Sequence, residues 1–263
     1  MTKALQLLTV LSQSPKEFFT RALAIATSRW ETPAERKVDY RTASFEAACQ
    51  SISASVNSDC ARFLEEPCLA SIESEVEKLR HSLLSNGPFA AFHNGDSALA
   101  RLCYTLTRIL RPNFIVETGV CYGVTSAYTL KALQVNSEGL LHSIDLPPLG
   151  KNGDDYVGWL VPQELRGRWR LHRGTSNRLL RPLLAELGQI DIFIHDSLHT
   201  YRNMRNEFAL AWPALRPGGV LISDDIEGNK AFQELCELPG VAVSVVVKEE
   251  NKDSLLGVAV KKR

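Results

Sequence analysis

Five acids, one histidine and two glycines are the residues of this chain whose types and spacing can do chemistry: Glu117, Asp145, Asp196, Asp224, Asp225, His199, Gly119 and Gly123. Glu117, Gly119, Gly123 and Thr125 stand as Glu-x-Gly-x-x-x-Gly-x-Thr directly after the apolar run Phe114-Ile115-Val116. Glycines so spaced let the backbone turn tightly and bring the next helix close to a ligand, whose space a side chain would fill. A phosphate-binding turn would read Gly-x-Gly-x-x-Gly. The acid here suits instead a nucleotide-type cofactor with a cationic ammonium and ribose hydroxyls. Asp145 ends a second apolar run 28 residues after Glu117. That leaves room for one crossover helix and puts a carboxylate where βαβ folds hydrogen-bond ribose. A tight strand-helix corner needs the same glycines, so it is the pairing with Asp145 that favours a cofactor.

The remaining acids end two further apolar runs. Asp196 closes IDIFIHD, and Asp224 and Asp225 close VLISDD. If those runs are neighbouring strands, about 4.8 Å apart, their carboxylates project into one small space, where like charges raise each other's pKa unless a cation lies between them. An all-oxygen set with room for water suits Mg2+ or another hard divalent cation. An aspartate after a strand also caps helices, and Asp224 and Asp225 are both open to that role. His199, three residues beyond Asp196, overhangs the same mouth. Its ordinary pKa of about 6.5 lets it take a proton from a hydroxyl at neutral pH. His195 alternates to the other face of its strand and reads as a packing residue, and Asp191, at the far end of that strand, as a solvated turn residue.

These groups need a scaffold, and the second part of the chain supplies a regular one. A helix opening at Asp96 or Ser97 and stopped by Pro112 leads into strands over Phe114–Thr118, Leu140–Asp145, Trp169–Arg173, Ile190–Asp196 and Val220–Asp224. Helices from about Val124, from Ser176 to Leu187 before Gly188, and from Tyr201 to Leu215 fall between them. Such alternation implies a parallel sheet with right-handed crossovers. Val241–Val247 and Leu255–Val260 are joined by a link too short for a helical crossover, so they pair antiparallel.

Before Gly87-Pro88 the pattern is helical. Ser14-Pro15-Lys16-Glu17 is a capping box opening a run to about Trp30, and Leu69, Ile72, Val76, Leu79 and Leu83 form one stripe. Residues 1–87 therefore read as a helical appendage, serving as a lid, a substrate-selecting wall or a contact in a homo-oligomer, and residues 88–263 as the cofactor-binding domain.

Composition narrows the classes. The 263 residues carry 30 basic and 30 acidic side chains, a balance that argues against a general nucleic-acid binder. An arginine cluster from Arg166 to Arg181 is open to an anionic partner but reads first as a solvated face. Six scattered cysteines without a Cys-x-x-Cys pair suit buried thiols in a reducing cytoplasm. The opening MTKALQLLTVLSQS is interrupted by Gln6 and reads as a first helix rather than a signal peptide, and nothing else is long and apolar enough to cross a bilayer.

VETGVCYGVTSAY, SIDLP, IDIFIHDSLHTY and LRPGGVLISDDI, in that order, resemble the class I S-adenosylmethionine-dependent methyltransferases, in particular the small-molecule O-methyltransferases of the macrolide-sugar and catechol type. The resemblance runs from Asp96 to the C-terminus. It implies an α/β fold: a Rossmann-like sheet of five parallel strands with a C-terminal antiparallel hairpin. It further implies S-adenosyl-L-methionine held by Glu117, Gly119, Gly123, Thr125, Asp145, Ser176 and Asp196. Metal-dependent members place an acid at Asp196 and an Asp-Asp or Asp-Asn pair at Asp224 and Asp225. Catechol-type relatives carry a lysine base near His199, whereas sugar-modifying ones have a histidine in this neighbourhood, so a hydroxyl on a sugar or polyhydroxylated small molecule is the implied acceptor; the alternatives are a metal-independent methyltransferase of another acceptor and a non-enzymatic S-adenosylmethionine-binding or assembly module. Ser176 would neighbour adenine and cap its helix. The Pro147–Arg168 loop would cover the cofactor or acceptor, with Tyr156 placed to stack on a ring and Trp159, also open to stacking, read first as a core residue.

Overall fold

A computed structural model describes residues 38–83, 97–147, 153–248 and 254–263, together with ten positions between residues 10 and 26. Gly87-Pro88, Asp96, Lys16 and Trp30 lie outside the described residues. Within the capping motif, Phe18 N–H donates to Ser14 O at 3.1 Å, the first bond of a helical stretch opening at Pro15.

The strands are β1 (Phe114–Thr118), β2 (Leu140–Asp145), β3 (Trp169–Arg173), β4 (Ile190–His195), β5 (Leu215–Ser223), β6 (Val241–Lys248) and β7 (Leu255–Lys261). They form one sheet in the order β3-β2-β1-β4-β5-β7-β6. The pairs β1–β2, β2–β3, β1–β4 and β4–β5 are parallel, and β5–β7 and β6–β7 antiparallel. The chain builds outward from β1 on one side, then returns to build outward through β4 on the other. The crevice at this switch, outside the carboxyl ends of the strands, is where open α/β sheets bind ligands.

Period-two alternation sorts the strands' apolar residues onto two faces. Ile115, Ile192, Ile194, Val220 and Ile222 face one core, and Val116, Phe193 and Leu221 face the other. Helices α1 (Phe45–Val56), α2 (Cys60–Leu64), α3 (Pro67–Leu83), α4 (Ser97–Leu110) and α5 (Val124–Asn136) precede those that cover the second face: α6 (Ser176–Leu187), α7 (Tyr201–Ala214) and α8 (Ala231–Cys236). Ala48, Ile52, Leu69 and Ile72 join Leu99, Leu102 and Leu130 in the first core, so the helices before residue 87 share it with the sheet.

β5 begins at Leu215, earlier than Val220, and takes in Pro217-Gly218-Gly219. The register to β4 slips between Ile190 and Ile192, a bulge that tolerates a proline within a strand. Asp191 beside it is buried rather than solvated. Its Oδ2 accepts from the backbone N–H groups of Asn113 (2.8 Å) and Phe114 (3.0 Å), and its Oδ1 from Arg216 Nε (2.6 Å). Among the described residues no helix is long and apolar enough to cross a membrane.

Candidate active site

Register alone brings most of the chemistry-bearing residues to one rim. Thr118 pairs with His195, and His195 with Ser223. Asp196 N–H then donates to Thr118 O (2.8 Å) and Asp224 N–H to His195 O (2.9 Å), so the two aspartates leave the sheet side by side.

Glu117, one residue before the end of β1, is fully buried rather than set at an open mouth. Its Oε2 accepts from Ser143 Oγ (2.6 Å) and Ser126 Oγ (2.7 Å), while Oε1 has no partner among the described residues. Burial pushes its carboxyl up to about 7, against the pull of the two hydroxyls. The turn that follows has positive φ at Gly119 (85°), Cys121 (51°) and Gly123 (88°). A Cβ on Gly119 would lie 1.8 Å from Asp196 O, and one on Gly123 2.8 Å from Gly158 Cα. The glycines thus make way for the protein's own backbone, not for the space of a ligand. Asp145 Oδ2 holds the turn by accepting from Val120 N–H (2.6 Å) and Cys121 N–H (2.9 Å), and burial raises its pKa. Thr125, in the first turn of α5, is buried, and its hydroxyl has no partner among the described residues.

Beyond β4 and β5, single oxygens of Asp196 and Asp224 and a ring nitrogen of His199 all lie within 4.8 Å of one another. Asp225 does not join them. Its left-handed backbone (φ 47°, ψ 46°) sets its carboxylate beside the outer edge of the imidazole, with Oδ2 3.2 Å from His199 Nδ1. Of the sequence-derived set, the structure groups Asp196 and Asp224 with His199, while Asp225 lies beside His199 Nδ1. His199 Nε2 is 3.8 Å from Asp196 Oδ1, too far for a hydrogen bond, and both it and Asp224 Oδ1 are buried without partners among the described residues. Burial, then the charges of Asp224, Glu117 and Asp225, hold the Asp196 carboxyl well above the usual range. Burial pushes the His199 imidazole down, which keeps it a neutral base. Unpartnered inward atoms on a strained acidic cluster fit a bound cation.

Behind this cluster lies Glu207 of α7, fully buried, which no sequence motif marks. It is contacted by Thr118, His195, Ser197 and Asn203. His195 faces α7, as alternation requires, and its ring stands edge-on to that of His199 at 5.3 Å.

Comparison with known proteins shows what this chain resembles. A family model described as a methyltransferase domain matches residues 116–226, the span holding the glycine turn and all three acidic strand ends. Residues 116–226 are thus similar to a methyltransferase domain. Solved structures with this fold include an O-methyltransferase from Bacillus cereus in complex with SAH (18% identity, TM-score 0.59, 82% of this chain and 97% of that one). Others are TomG from Streptomyces achromogenes, an O-methyltransferase involved in tomaymycin synthesis and bound to SAM (16%, 0.56, 76% and 91%), and SAH-bound PaMTH1 from Podospora anserina (13%, 0.56, 86% and 100%). At these identities the likeness is one of fold. No curated protein matches the chain.

Two surroundings of the candidate site differ from the sequence reading. Thr175, not Ser176, occupies the cap position of α6, and the Ser176 hydroxyl turns to Glu207. Trp159 is 45% exposed and stacks on Tyr156 at 5.3 Å instead of entering the core, because its segment is held by Gly158 N–H on Cys121 O and Leu160 N–H on Tyr122 O. In the arginine cluster, Arg166 lies over Trp169 and Arg173 pairs with Glu17 and Asp154, while Arg170, Arg173, Arg178 and Arg181 are exposed, in line with a solvated face. A cavity of about 650 Å3 opens at the opposite ends of the strands, where Arg216 is paired with Asp191 and Arg168 donates to Gly139 O.

Proposed function

We propose that the protein is an S-adenosyl-L-methionine-dependent O-methyltransferase acting on a hydroxyl of a sugar or other polyhydroxylated small molecule, assisted by a divalent cation. The observation that carries this reading is the pair of unpartnered, inward atoms, His199 Nε2 and Asp224 Oδ1, beside Asp196 at the switch-point rim.

The cofactor, when bound, supplies a methyl group on a positively charged sulfur. Glu117, Asp145 and Asp196 give its pocket the negative field that suits such a cation, with Glu117 Oε1 and the Thr125 hydroxyl as free inward groups. Gly119, Gly123 and Ser176 shape the turn and the α6 end of that pocket. Asp196 and Asp224 would hold the cation, which lowers the pKa of a nearby hydroxyl. Mg2+ and Mn2+ match the carboxylates, and the imidazole nearby widens the choice to Zn2+.

His199 does the proton work. The Asp225 carboxylate, 3.2 Å from Nδ1, favours the proton on that nitrogen, which leaves the Nε2 lone pair facing the space beside Asp196 and Asp224. From there it takes the acceptor's proton as the oxygen attacks, and no covalent enzyme intermediate is needed. The grouping of the three side chains within 4.8 Å also favours a second reading, His199 as third metal ligand, which uses the same tautomer. The sheet and the helical first third align the acceptor with the methyl and exclude water. The six free cysteines fit a reducing, cytoplasmic setting.

The test is methyl transfer to a panel of sugars, polyols and catechols with and without chelator. Asp196→Ala, Asp224→Ala and chelation should each abolish turnover while cofactor binding, followed by calorimetry, persists. Full activity in chelator would reject metal assistance, and activity confined to catechols would reject the sugar-type acceptor.

A further inference from the structure

Glu207 is a charged side chain with no exposure at all, in a layer otherwise built of Met204, Phe208 and Ala211. A buried carboxylate is weak as a source of stability, since an apolar residue of similar size commonly packs as well or better. Its retention needs another reason, and the groups that touch it suggest one. Thr118 Oγ1 donates to it at 2.6 Å, His195 Nδ1 at 2.7 Å, Ser197 Oγ at 2.9 Å and Asn203 Nδ2 at 3.0 Å. Asn203 Nδ2 also donates to Ser197 Oγ (3.1 Å) and Leu198 O (3.0 Å), and Asn203 N–H to Thr200 Oγ1 (3.3 Å).

These bonds fall in a pattern along the chain. The segment after β4 is tied to α7 at residues 195, 197, 198 and 200. The two positions passed over are Asp196 and His199, whose side chains turn the other way toward Asp224.

We infer that Glu207 is a positioning residue for the candidate site: by gathering His195, Ser197 and Asn203 it fixes the loop so that Asp196 and the Nε2 edge of His199 meet Asp224. The ring contact from His195 to His199 at 5.3 Å is the shortest route of this influence. Glu207 touches none of the reacting atoms and acts only through others. Burial alone would raise its carboxyl, but the His195 charge and the surrounding donors outweigh that and hold it down to about 2, so the hub stays ionised at working pH.

The inference rests on the proposed O-methyltransferase reading, and the test separates the two. In Glu207→Gln, which keeps the shape but loses the charge, kcat should fall about 10- to 100-fold, as for other residues that orient ligating or basic groups, with the acceptor KM changed less than about 2-fold. The His199 ring resonances in a histidine-labelled sample should shift or broaden, and Mn2+ binding to the cofactor-free protein, read by electron paramagnetic resonance, should weaken. Ser197→Ala removes the two bonds of Ser197 Oγ, to Glu207 and from Asn203, but leaves the charge, and should show the same effects more weakly, which keeps the test usable if the glutamine variant does not fold. Unchanged kcat and unchanged His199 resonances in a folded Glu207→Gln protein would overturn the inference, as would a loss of activity matched by lost folded fraction alone. If the wild type transfers no methyl group, the functional reading fails, and the resonance and Mn2+ readouts still decide the positioning role.

Discussion

Replacing Glu117 by glutamine should flatten the dependence of stability on pH between about 4.5 and 7. The carboxyl sits at about 7 in the folded protein against 4.5 for the free group, because it is fully buried with only two hydroxyls on one oxygen. A carboxyl whose folded pKa is raised favours the fold in its protonated form. That contribution is complete below 4.5 and is lost as pH rises through about 7. At about 1.4 kcal/mol per tenfold change, the loss amounts to about 3 kcal/mol by pH 8. Glutamine stays neutral throughout, but its amide would occupy the place of the unpartnered Oε1, a cost of about 1 kcal/mol. The variant should therefore be less stable than wild type by about 1 kcal/mol at pH 4.5 and more stable by about 2 kcal/mol at pH 8. Urea unfolding at four pH values across this range measures it, and subtracting the variant's curve from the wild type's removes other titrating groups. Parallel curves would refute the reasoning. A cationic cofactor beside Glu117 should reverse the sign of its charge effect, so S-adenosylmethionine should raise the wild-type melting temperature more at pH 8 than at pH 5.5, and the variant's about equally at both.

Asp225→Asn keeps a residue that tolerates the left-handed backbone while removing the charge beside His199 Nδ1; kcat should drop about 10-fold with little change in KM, and an unaltered kcat would remove Asp225 from the mechanism. Gly119→Ala forces a Cβ to 1.8 Å from Asp196 O at a φ of 85°, which should cost about 3 kcal/mol or more in thermal or urea unfolding. Asp191→Ala strips the acceptor from two backbone N–H groups and Arg216; a loss of about 3 kcal/mol is expected by denaturant titration, and a change below about 0.5 kcal/mol, the range of ordinary surface substitutions, would contradict its buried role.

Most of the sheet was legible because each strand is a short apolar run closed by a polar residue, and each helix between them has its own stop. β1, β2 and β3 begin and end where the residue pattern puts them, and the antiparallel tail follows from the length of its link. β5 was misread at its start because Pro-Gly-Gly signals a turn, whereas the bulge against β4 absorbs it within the strand. Helices α1 and α2 and the short α8 carried no stripe distinct enough to delimit them. Trp159 was misplaced because hydrophobicity predicts burial only on average, and here backbone bonds to the glycine turn hold its segment at the surface.

The sequence by itself determined that acids and glycines stand at the carboxyl ends of successive parallel strands, since periodicity, strand ends and chain direction are local properties. Only the tertiary structure decided which of them meet. A left-handed residue set Asp225 beside His199 Nδ1 rather than with Asp196 and Asp224, and a buried glutamate eleven residues past Asp196 met His195 and Ser197 on either side of that aspartate. Such choices depend on backbone dihedrals and on partners brought together across strands and helices, which side-chain spacing along one chain does not encode.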